Sequence, residues 1–188
     1  MPTNPGTELI AFDSVVIINC LEKKKGRIEW ITPIIKRAEN GEIKIVVCSM
    51  AYAETVRIKD ENEKELADSK AIIQEFFDKP WIVPVATSIF IGEQAAELQR
   101  IHEIDCADAI HLASAVFAHA PVFLTNDGAH AVKKKRKQKP MLPLDKKIMV
   151  DGKPLRIMTP QDYDEMLHRE AAPLTAPPFQ DGERRLEL

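Results

Sequence analysis

The sequence holds little cysteine: three residues in 188. The number is odd, no Cys-x-x-Cys occurs, and Cys20, Cys48 and Cys106 each sit in an apolar stretch. A disulfide framework is excluded, and the three read as buried free thiols of a reducing compartment. Long hydrophobic runs are lacking too. The most apolar stretch, residues 43–53, is too short to span a bilayer and is interrupted by Lys44. Residues 1–7 are polar with two prolines, unlike a secretory signal. Nor is there an excess of one charge: 26 Lys and Arg stand against 29 Asp and Glu, for a net charge of -3. That balance argues against a general polyanion binder and leaves local basic patches open. The expected protein is soluble and cytoplasmic, with no membrane partner.

What is present suits one globular domain: 45% hydrophobic and 29% charged residues in a chain long enough to bury its own core. Short apolar, β-branched runs read as strands at residues 8–12, 43–48, 81–85, 122–125 and 155–158. Between them, helical spacing appears at 27–39, 50–58, 62–77, 88–102 and 105–118. Residues 14–21 suit either a helix or a strand. The 88–102 helix shows Ile89, Ala96 and Leu98 as its apolar anchors. Asn40-Gly41 stops the first long helix, and Thr159-Pro160 starts the last. Strands alternating with helices predict a three-layer α/β/α sandwich around a mostly parallel sheet of about five strands. The domain is expected over residues 8–169, after a flexible leader (1–7) and before a disordered tail (170–188). Internal repeats are absent.

Functional groups of a parallel sheet gather beyond the carboxyl ends of its strands. Asp13 ends the first strand and Asp127 follows the fourth. Glu54 and Asp108 lie within otherwise apolar helical patterns. Each acid has a bland reading: a cap for Asp13, an Asp-Gly turn for Asp127, a partly exposed helical position for Glu54. Asp105, three residues before Asp108, reads as that helix's N-cap. Four acids feeding one end of one sheet suggest a cation site, because buried carboxylates need compensation. His111 reads as a satisfied core histidine, and Trp30 and Trp81 as core. The run at 133–139, Lys-Lys-Lys-Arg-Lys-Gln-Lys, suits a solvated loop or a contact to an RNA backbone.

Strand-Asp13-Ser14, Glu54, Asp108-Ala-Ile-His-Leu-Ala and Leu124-Thr-Asn-Asp127 together resemble the PIN domain family, including its VapC-type toxins. The resemblance covers residues 8–167. It implies a metal-dependent endoribonuclease that hydrolyses RNA phosphodiester bonds, with the toxin of a toxin–antitoxin pair as one role the resemblance offers. By that resemblance Asp13, Glu54, Asp108 and Asp127 are the catalytic, metal-binding acids for Mg²⁺ or Mn²⁺. Ser14, Thr125 and Asn126 support them. RNA, an antitoxin protein and a second copy in a homodimer are the implied partners. Two features depart from the family: Val15 stands where many members have Asn, and the stretch from Asp127 to Leu155 is long. A catalytically weak module of the same fold, binding RNA or protein, is the competing function. A dehalogenase-like phosphatase needs a second Asp where Val15 stands, and a dinucleotide-binding module needs a Gly-rich turn after the first strand.

Overall fold

Alternating side chains split the strands of one sheet between two cores. Ile10 and Phe12 of β1 (Glu8–Phe12) join one buried cluster, whereas Ala11 joins the other. The computed structural model describes residues 7–60, 62, 64–129 and 139–171. Most of the leader and tail, and the basic run up to residue 138, lie outside the described residues.

After β1 the chain forms α1 (Ser14–Leu21), α2 (Ile28–Glu39), β2 (Ile43–Cys48), α3 (Ser49–Glu54) and α4 (Ser69–Phe77). It continues through β3 (Ile82–Val85), α5 (Ile89–His102), α6 (Cys106–Phe117) and β4 (Val122–Leu124). A 3-10 turn (Leu142–Leu144) then precedes β5 (Met149–Val150), β6 (Lys153–Pro154), β7 (Arg156–Met158) and α7 (Pro160–Ala171). The five expected strands form one parallel sheet in the order β3-β2-β1-β4-β7. Helices α1, α2 and α7 supply the core on one face, and α5 and α6 on the other. The expected three-layer sandwich is the fold.

The long stretch before Leu155 packs into the α5–α6 core. Met141, Leu144, Ile148 and Val150 are buried there, and β5 and β6 form a small antiparallel hairpin. Asp145 Oδ1 accepts the Ile157 amide at 2.8 Å. A carboxylate thus closes the outer edge of β7, where an unpaired strand would invite pairing with another chain.

Local chemistry shortened two of the expected helices. The stretch expected over 50–58 ends at Glu54, because Thr55 leaves the helical conformation and its hydroxyl bonds back to Ala51 O at 2.7 Å. The one expected from residue 62 begins at Ser69. Before it, Asp60 Oδ1 takes the amides of Asn62 and Lys64, and Ser69 Oγ donates to Leu66 O. Such side-chain bonds compete with helix formation. In α5 the buried stripe is Ile91, Ala95 and Leu98. Ile89 and Ala96, expected as anchors, are exposed because the Ser88 cap sets a different phase. Cys48 is buried and Cys20 half-buried, its thiol pushed up to about 11 by burial; Cys106 is exposed, against expectation, at the first position of α6. Trp81 is buried against Phe76, while Trp30 is half-buried.

Candidate active site

Phe12, Leu124 and Met158 pair in register across β1, β4 and β7, so these strands end level. Asp13 and Thr125 are the next residues out. Their amides continue the ladder, Asp13 N to Leu124 O and Thr125 N to Met158 O, both at 3.0 Å. The sheet itself therefore fixes both backbones.

Asp13 stands at the N-cap position of α1 yet makes no side-chain cap. Its carboxylate instead accepts the Thr125 hydroxyl at 2.6 Å and the Ser14 hydroxyl at 3.4 Å. Asp13 is 4% exposed. Burial raises its pKa, with His111 and the Thr125 bond opposing and Glu54 adding to the rise.

Thr125 also accepts the Asp127 amide on Oγ1 at 2.9 Å, which curls the loop and leaves the Asp127 charge within reach of Asp108. Asp127 Oδ2 accepts the Met141 amide at 3.0 Å, anchoring the returning chain. Gly128 has φ +96°, and a Cβ there would lie 3.0 Å from Pro140 Cβ, so this turn needs glycine. Asn126 Oδ1 accepts from Arg27 Nη1 at 2.8 Å, while its buried Nδ2 has no partner among the described residues.

Asp105 caps α6 as expected, accepting the Ala107 amide at 3.0 Å. That fixes the helix start and puts Asp108 in its first turn. A carboxylate there is normally favoured by the helix dipole. Asp108 is nevertheless pushed up to about 7, by burial first and then by the charges of Asp13, Asp127 and Asp105; His111 opposes. Carboxylates from the ends of β1 and β4 and the start of α6 thus share one field.

Glu54 stands to one side. Its Oε2 meets His111 Nε2 at 2.7 Å, and that bond, against burial, lowers its pKa; the Ser14 hydroxyl helps. Glu54 acts on Asp13 but is not among the charges that shift Asp108. His111 is 2% exposed. Burial alone would lower its pKa; the Glu54 bond and the charges of Asp13, Glu54 and Asp108 outweigh it, and the net shift is upward. It is a core histidine, as expected, but one joined to the site, and its Nδ1 has no partner among the described residues.

Among the described residues no group of three or more His, Cys, Asp or Glu side chains is set to hold a metal ion directly. The donor chemistry still suits one. Asp13, Asp108 and Asp127 offer only oxygen, and their mutual repulsion is relieved by a cation. Mg²⁺ keeps several of its waters and takes one or two carboxylates, so it does not require a closed protein cage. The residues fit a hydrated divalent ion.

Sequence reasoning missed the two ties that hold the site together. His111 lies three residues after Asp108, on the same helix face, and that spacing was the available signal. Arg27 and Asn126 are far apart in sequence, and nothing local links them.

A family model described as PIN domain matches residues 10–136. Among solved structures, the crystal structure of VapBC2 from Rickettsia felis bound to a DNA fragment from their promoter is similar, with 16% sequence identity and a TM-score of 0.46. The likeness covers 63% of this chain and 87% of that one. No curated protein matches the chain. The family match spans about two-thirds of the sequence and takes in all four acids, and by it the chain belongs to the PIN domain family.

Proposed function

We propose that this protein is a Mg²⁺- or Mn²⁺-dependent endoribonuclease that hydrolyses RNA phosphodiester bonds. PIN domains are generally nucleases, and they generally use divalent metal ions. The observation that carries the reading is the placement of Asp13 at the end of β1, Asp127 after β4 and Asp108 in the first turn of α6, close enough for the charges of Asp13 and Asp127 to act on a part-buried Asp108. Perturbed acids grouped in this way mark functional sites.

Asp13, Asp108 and Asp127 would hold the ion. When bound, the ion supplies a nucleophilic water at neutral pH and offsets charge on the phosphate. The chain's own part is placement. Thr125 fixes Asp13 through its hydroxyl and Asp127 through the loop it curls. Asp108 would hold the ion in its ionised form, since ligands must be ionised to bind. Arg27, by gripping Asn126, holds the loop that carries Asp127. An antitoxin partner and a homodimer belong to the same reading, as the sequence resemblance implies, and a cytoplasmic place of action suits the three free thiols.

Purified protein incubated with single-stranded RNA and Mg²⁺ or Mn²⁺ tests it. The expected result is internal cleavage leaving 5′-phosphate and 3′-hydroxyl ends, stopped by EDTA. RNA bound but left whole under all these conditions would favour the binding-module reading.

A further inference from the structure

We propose that His111 is a positioning residue: its Nε2–H holds the Glu54 carboxylate beside Asp13, and Glu54 contributes to the site through that tether. The inference rests on the metal-dependent reading above. Glu54 is the last residue of a six-residue helix, and the backbone turns away at Thr55. Its side chain is 32% exposed and would sample several rotamers if left alone. The 2.7 Å bond to His111 Nε2 restrains it, with the Ser14 hydroxyl, shared with Asp13, beside it.

His111 has no comparable freedom. It is buried in α6, the helix that carries Asp108, and it sits one turn further along the same face. Helix α6 therefore places Asp108 directly and Glu54 at one remove. An ionised carboxylate only accepts hydrogen bonds, so Nε2 carries the proton in this contact and the imidazole is fixed in orientation. Groups that orient a site's acids in this way cost about 10- to 100-fold in metal affinity or activity when lost.

The test compares Glu54→Gln, His111→Leu, the double variant and His111→Gln, with Mn²⁺ itself as the probe and electron paramagnetic resonance reporting the free ion. RNA cleavage is followed alongside. Each of Glu54→Gln and His111→Leu should weaken Mn²⁺ affinity or kcat by about 10- to 100-fold, with KM for RNA unchanged. The double variant should be no worse than Glu54→Gln alone, because both changes remove one coupled device. His111→Gln puts an amide N–H where the imidazole Nε2–H stood and should recover much of the loss. Additive losses, wild-type behaviour of His111→Leu, or a His111→Gln no better than a folded His111→Leu would overturn the proposal. Should His111→Leu fail to fold, the Nε2–H proton resonance decides. A downfield, exchange-protected signal that moves upfield in Glu54→Gln supports the tether, and an unmoved signal overturns it. A wild-type chain that binds Mn²⁺ without cutting RNA sinks the nuclease reading and leaves this inference to the Mn²⁺ comparison; a chain that binds no Mn²⁺ overturns both.

Discussion

Asp13→Asn is expected to lower metal-dependent RNA cleavage by at least about 100-fold while leaving the fold as stable as before. Loss of an outer partner in a metal site costs about 10- to 100-fold, and loss of a charged ligand should cost no less than the upper end. Asparagine keeps the shape and retains an oxygen to accept the Thr125 hydroxyl at the 2.6 Å contact. What it removes is one negative charge at a position 4% exposed, where burial already disfavours that charge. Catalysis and stability therefore separate. Cleavage rates and a thermal melt on the same preparation check this: full metal-dependent cleavage by the variant contradicts it, and so does a collapse of the fold.

Asp108→Asn is expected to stabilise the metal-free protein at pH 8, with the gain shrinking as the pH falls. The sign follows from the shift. Asp108 titrates near 7 in the folded protein and near the ordinary 3.8 when unfolded. Between those values the folded protein binds the proton more tightly, so lowering the pH from 8 through 7 stabilises it, and raising the pH through 7 removes that stability. Asparagine is spared the loss. His111 is shifted upward too and acts in the same direction, so the variant's pH dependence is reduced and not abolished. Mg²⁺ should raise the wild-type Tm at pH 8 by mass action and leave the variant nearly unmoved. Melts from pH 5 to 8, with EDTA or Mg²⁺, check both expectations; parallel curves for the two proteins would contradict them.

Much of the fold was legible because the strands are apolar, β-branched and short. All five sheet strands lie where their pattern places them, and Asp105 is the cap that starts α6. What stayed hidden depends on contacts far apart in sequence. Nothing near residues 62–68 says that Ser69 will bond back to Ile58 O and Leu66 O and delay α4. The stretch after Asp127 has no periodicity of its own; it is held by Asp127 Oδ2 on the Met141 amide and by apolar residues given up to the α5–α6 core.

The site was legible in part for the same reason. Asp13 directly follows β1 and is level with Thr125 by sheet register, and Asp127 comes two residues later on the loop that Thr125 curls. Asp108 was placed by its capped helix. The pattern put Glu54 on an equal footing with these three, whereas the structure gives it a partner of its own in His111. One acid's place thus depends on a buried histidine that spacing alone read as core.

The most direct test of the central claim is an anomalous-scattering map from crystals of the full chain soaked in Mn²⁺. A peak bounded by the carboxylates of Asp13, Asp108 and Asp127, with Glu54 still on His111 Nε2, is the result this account predicts. A map with Mn²⁺ only elsewhere on the protein, or with Asp108 turned away from Asp13, would contradict it.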